Sequence, residues 1–97
     1  MADTDTVVHD RNGSRFVLTR GDREIGETAY RTRDDGTIDF VHTEVDQELQ
    51  ERGLGSKLVA DALDQVRAES DARIAATCPF VKRFLEEHPE YQDLLSR

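Results

Sequence analysis

Two periods of hydrophobic spacing divide the chain. Up to residue 45 the apolar positions are short and alternating, broken by turn residues, which is the pattern of half-buried strands. Val7-Val8-His9 predicts a short first strand, and Asn12-Gly13 is a hairpin signal. Arg15-Phe16-Val17-Leu18-Thr19 follows, ended by Gly21-Asp22. Residues 24–32 predict a third strand anchored on Ile25 and Tyr30, with Gly26 as a bulge marker. Asp34-Asp35-Gly36 closes another turn before the β-branched and aromatic run 37–45, the central strand. After Gln50 the period lengthens. Leu54, Leu58, Val59, Ala62, Leu63 and Val66 fall on one helical face, predicting an amphipathic helix to about Ser70. Residues 73–77 read as a fifth strand, which a crossover helix would bring in parallel to a neighbour. Cys78-Pro79 predicts a helix start, with Pro at the first helical position. His88-Pro89 interrupts that helix, leaving one or two last turns to Leu95.

The predicted fold class is therefore α+β: four antiparallel strands, a helix, a parallel fifth strand and short C-terminal helices. At 97 residues the chain has room for one domain, expected over 6–97 after a flexible start at 1–5. Its net charge of −8 argues against nucleic acid or an anionic membrane as partner. Eleven Arg against two Lys fits salt adaptation or ordinary solubility alike. A lone cysteine, Cys78, points to a reducing compartment, and no signal-peptide layout or membrane-length apolar run is present, so a cytoplasmic protein is expected. The histidines and Cys78 are too scattered to predict a metal site.

The segment with most chemical content is Gln50-Glu51-Arg52-Gly53-Leu54-Gly55-Ser56-Lys57-Leu58, between strand and helix. Its glycines permit a tight turn and close approach of a ligand to backbone, and a helix N-terminus offers free N–H groups to phosphate. A ligand-free glycine turn has the same appearance. A P-loop is excluded because the spacing from Gly53 to Ser56-Lys57 is wrong, and a Rossmann turn because Leu58 stands where the third glycine belongs.

Gln50, Gly53 and Gly55 reproduce the Arg/Gln-x-x-Gly-x-Gly/Ala signature of the GCN5-related N-acetyltransferases, and the segment resembles motif A of that superfamily. His42-Thr43-Glu44-Val45 upstream and Thr77-Cys78-Pro79-Phe80 downstream resemble its short single-domain branch. The resemblance implies acetyl-CoA as cosubstrate, in a cleft between the central and fifth strands. Backbone at Glu51, Arg52, Gly53, Leu54, Gly55 and Ser56 would then cradle the pyrophosphate, with Gln50 as part of the motif. Thr43 and Val45 would pair with the pantetheine arm, and Cys78 would lie near the sulfur. It implies transfer of the acetyl group to a primary amine, of a small molecule or a protein, by direct attack. A CoA-binding module with little or no turnover is the alternative, and an interaction domain that has lost the ligand is a third reading.

Three side chains are candidates for chemistry. Asp39 stands where relatives carry a carboxylate base. His42, with an imidazole that titrates near neutrality, is the competing base. Strand alternation places the two on opposite faces unless a bulge intervenes. Cys78 is expected at a helix cap, where it would contact CoA, carry the acetyl group, or simply pack. The larger family's thiolate-protonating Tyr is replaced here by Phe84 and Leu85, with Tyr91 a distant stand-in. The stripe Phe80, Val81, Phe84, Leu85 is expected in the core.

Overall fold

The computed structural model describes residues 5–49 and 53–97. Four strands, β1 (Asp5–Asp10), β2 (Arg15–Arg20), β3 (Arg23–Thr32) and β4 (Ile38–Val45), form an antiparallel meander. Helix α1 (Leu54–Glu69) crosses over, and β5 (Ile74–Ala76) then pairs with β4 in parallel, giving the sheet order β1-β2-β3-β4-β5. Helix α2 (Pro79–Glu87) and a 3₁₀ segment (Pro89–Ser96) complete the chain. Gly21 and Gly36 take up the left-handed conformation that turns the β2–β3 and β3–β4 connections.

The first strand begins at Asp5, the last residue of the expected flexible start. Asp5 pairs with Arg20 across β1 and β2, its carboxylate accepting from the guanidinium at 2.8 Å. The hairpin that Asn12-Gly13 signals is present, with residues 11–14 as its loop and Ser14, at φ 52°, as the left-handed residue. Asp10 accepts from the Gly13 amide and from Arg15, and stabilises this loop from its base.

One face of the sheet carries Val7, Phe16, Leu18, Ile25 and Phe40 against the apolar stripe of α1, Leu54, Leu58, Val59, Ala62, Leu63 and Val66. Each such buried side chain contributes roughly 1.5–3 kcal/mol of transfer free energy, so this contact dominates the packing. Helix α2 adds Val81, Phe84 and Leu85 beside β4 and β5, and Leu94 closes the end. His9 is structural: its ring stacks on Phe16 at 4.2 Å and its Nε2 hydrogen-bonds the Tyr30 hydroxyl at 2.7 Å.

Two irregularities interrupt the ladder. Between β2 and β3, Ile25 is the extra residue, next to the Gly26 that marks it in the sequence. Between β3 and β4, Ala29 faces His42 while Tyr30 faces Phe40, so Val41 is extra. Among the described residues no helix is long and apolar enough to cross a membrane.

Candidate active site

The parallel pairing of β4 with β5 ends at Phe40 opposite Ala76. Its last rung is a shared one: the Phe40 carbonyl accepts from the amides of both Thr77 (3.0 Å) and Cys78 (2.9 Å). Beyond it β4 runs on to Val45 while the other chain turns into α2, so residues 41–45 have no β5 partner.

The Val41 bulge sits at this parting. Phe40 is core, and Thr43 also faces inward, because its hydroxyl meets the hydroxyl of fully buried Thr28 at 2.9 Å and the Cys78 thiol donates to it at 3.4 Å. Positions 40 and 43 can share a face only if the alternation slips by one between them, and the extra residue supplies that slip. This is the intervening bulge that the alternation argument allowed for, and it puts Asp39 and His42 on one face. Both belong to the outer face, opposite the one that meets α1.

They differ in what surrounds them. His42 is exposed, with its Nε2 3.7 Å from a Glu44 carboxylate oxygen two residues on. Asp39 is only 1% exposed, and its oxygens accept from Arg33 (3.0 Å), the Thr77 amide (3.1 Å) and the Thr77 hydroxyl (2.9 Å). Burial alone pushes this carboxyl up, but the hydrogen bonds from Arg33 and Thr77 and the Arg33 charge outweigh it and hold it below the ordinary 3.8. A carboxylate so engaged holds no proton near neutral pH and presents no open oxygen to one.

Gly53 stands at the cap of α1 in the left-handed conformation, φ 83°, and offers no side chain to cap it. Among the described residues no side chain is seen bonding the first amides, and the first turn carries no acidic residue. The N–H groups of the first turn therefore face outward at the positive end of a 16-residue helix. The two glycines have separate jobs. A Cβ on Gly53 would meet nothing within 4 Å, so backbone conformation is what requires glycine there. A Cβ on Gly55 would come within 2.7 Å of the Phe80 ring.

Phe80 is accordingly not core. It is 43% exposed and lies over the first turn of α1. Together with Thr43, Val45, Gly53, Leu54, Gly55 and Ser56 it lines a cleft of about 380 Å³ between the end of β4 and the start of α1. Leu49 and the acidic pair Glu44 and Asp46 complete the wall. Six of the expected cofactor-binding residues thus meet in one cavity. Cys78, buried at the α2 cap, touches it through Thr43. Gln50, Glu51 and Arg52 lie outside the described residues. Tyr91 is elsewhere: it donates to Asp64 on α1 at 2.9 Å and packs on Phe84.

Comparison with known proteins decides the family. A model of the GCN5-related N-acetyl-transferase family matches residues 15–94. The chain belongs to that family. Curated relatives include Protein NATD1 of Bos taurus, 33% identical over 84 residues, spanning 86% of this chain and 74% of that protein. Protein NATD1 of Xenopus tropicalis is 31% identical, spanning 86% and 76%. Among solved structures, the NMR structure of a GCN5-like candidate N-acetyltransferase from Staphylococcus aureus superposes with a TM-score of 0.68 at 29% identity. That match covers 92% of this chain and 85% of the other. In this acetyltransferase-family chain, the parted strands and the glycine-capped helix start are the features that bear on a cosubstrate.

Phe80 and Thr28 are the site residues that sequence reasoning missed. For Phe80 a signal existed, since Gly55 leaves room for a ring and Pro79 fixes where α2 begins. For Thr28 the signal is alternation along β3, which puts it on the same side as Tyr30 two residues on and opposite Phe16 on β2.

Proposed function

We propose that this chain transfers the acetyl group of acetyl-CoA to a primary amine by direct attack, with both reactants bound together. The observation that carries the reading is the cleft itself: an unpartnered stretch of β4 leading to a glycine-capped helix start. The pyrophosphate would accept hydrogen bonds from the amides at Leu54, Gly55 and Ser56, as helix N-termini offer to anions. Residues outside the described part of the loop, Gln50, Glu51 and Arg52, belong to the same proposed cradle. The pantetheine amides would pair with backbone at Thr43 and Val45, as a strand adds to a free edge.

In the chemical step the neutral amine attacks the acetyl carbonyl carbon, the carbon–sulfur bond breaks, and CoA leaves as a thiolate. Orientation of two bound reactants supplies most of the acceleration. His42, the exposed imidazole at the parting of the strands, takes the proton that the ammonium must lose. As the amide forms, the nitrogen sheds a second proton, which ends on the CoA sulfur; the Thr43 hydroxyl and Cys78 thiol, joined at 3.4 Å, would relay it, each regaining the proton it passes on. Cys78 serves there without forming an acyl-enzyme. A reducing, cytoplasmic setting keeps it a thiol.

The second reading, a CoA-binding module with little turnover, is favoured by one observation. No tyrosine lines the cleft, and Tyr91 is committed to Asp64. Titration calorimetry with CoA and acetyl-CoA, followed by measurement of thiol release with a panel of amines, separates the two. Binding with amine-dependent thiol release supports transfer. Binding without it supports the module, and no binding removes both.

A further inference from the structure

We propose that Asp39 is a positioning residue, a clasp that fixes the start of α2 against β4 where the two parallel strands part. The role as general base for acetyl transfer thereby leaves Asp39, and the effect on catalysis rests on the transferase reading above.

The clasp gathers three segments. Arg33, in the turn after β3, reaches one carboxylate oxygen of Asp39 at 3.0 Å, and that turn is itself closed by the bonds Arg33 N–H to Thr37 carbonyl and Gly36 N–H to Arg33 carbonyl. Thr77, the residue after β5, donates its amide at 3.1 Å and its hydroxyl at 2.9 Å. The same Thr77 amide also donates to Phe40, the residue next to Asp39. Cys78 follows immediately, bonded to the same Phe40 carbonyl, and Phe80 two residues later lies on Gly55. One buried carboxylate therefore holds the residue from which both the Cys78 thiol and the cleft-lining Phe80 ring are hung.

Nothing else among the described contacts can replace it. The three-residue β5 ends at Ala76, so Thr77 has only the Phe40 carbonyl and the Asp39 carboxylate to hold it to β4. Thr77 is an exposed residue, and without the carboxylate its hydroxyl would turn to water. A base would need the reverse arrangement, an oxygen open to the substrate and a side chain free of fixed donors.

The test compares Asp39→Asn with Thr77→Val, which leaves the carboxylate and its Arg33 partner in place. If Asp39 is the clasp, both variants release the Cys78 amide, whose hydrogen exchange rises about tenfold, the scale of one charge-assisted hydrogen bond. Both raise KM for acetyl-CoA about tenfold, the double variant is no worse than either alone, and the pH at which transfer falls on the acid side stays where it is in the wild type. Loss of that acid limb in Asp39→Asn, with Thr77→Val behaving as wild type, overturns the proposal and restores Asp39 as base. Where no amine supports transfer, exchange at Cys78 and calorimetric affinity for CoA decide alone. Unchanged exchange in Thr77→Val overturns the clasp whatever becomes of the transferase reading. Thr77→Val also carries the test should Asp39→Asn fail to fold.

Discussion

The ring of Phe80 lies directly over the α-carbon of Gly55, so close that a methyl group placed there would sit 2.7 Å from the ring edge. The second glycine of the motif thus makes room for a side chain of this protein, whereas the first, Gly53, serves the backbone turn. Gly55→Val is expected to push the ring into the cleft and weaken CoA binding about tenfold or more. Adding Phe80→Ala should recover much of that loss. Gly53→Ala, by contrast, costs about 1–2 kcal/mol of stability from its left-handed backbone and leaves the cleft unfilled. Calorimetry and thermal melts on the four proteins check both halves; equal affinity loss in Gly53→Ala and Gly55→Val with no recovery by Phe80→Ala would refute the division of roles.

His42 is expected to matter for rate and not for cosubstrate binding, because it lies on the outer face, away from the walls of the cleft. His42→Ala should lower transfer about 10²-fold, the usual worth of a positioned base, while CoA affinity stays as it was. Raising the pH should rescue the variant in part, as the amine then loses its proton unaided. A variant that binds CoA worse but turns over at the wild-type rate would show that the imidazole belongs to the cosubstrate site.

Replacing Cys78 by Ala removes a buried sulfur and its bond to Thr43, for a stability cost of about 1 kcal/mol. Turnover should fall modestly and stay above background, and mass spectrometry after incubation with acetyl-CoA should find no adduct on Cys78. A stoichiometric acetyl-Cys78 discharged by amine, with all transfer lost in Cys78→Ala, would establish a covalent route.

Burial, then the hydrogen bond to Asp64 and that carboxylate's charge, push the Tyr91 phenol up to about 12 from 10.0. The folded state therefore favours the protonated phenol. Its contribution is fully present below pH 10 and is lost as pH rises toward about 12. Urea melts should show the wild type losing stability across that window by on the order of 1–2 kcal/mol more than Tyr91→Phe. Parallel curves for the two proteins would contradict the assignment.

The order of strands, the parallel crossover and the ends of α1 were legible because each rests on a period held over several residues. The stripe Leu54 to Val66 matches the helix face it was assigned to, and Pro79 marks the start of α2. The extra residue at Val41 was not legible, since a bulge changes how residues pair and leaves composition untouched. Everything that depends on it was hidden with it: Asp39 and His42 sharing a face, and Thr43 turned inward to Cys78 and Thr28. Helical spacing groups Phe80 with Val81, Phe84 and Leu85 of the core, yet the turn of α2 brings its ring over Gly55 instead.

The slip at Val41 gives this strand a phase as well as a sequence. Because the pairing skips Val41, Phe40 points in, His42 out and Thr43 in, which is the order plain alternation would give if that valine were absent. Deleting it would therefore leave both faces as they are. Were it instead taken up into the ladder as an ordinary rung, every residue after it would exchange sides: the imidazole would turn to the inner face, the Thr43 hydroxyl would turn out, and Thr28 would lose its partner. No residue named in the site would have been altered, yet the site would be inside out. What this part of the strand presents is therefore set by which residue the pairing leaves out.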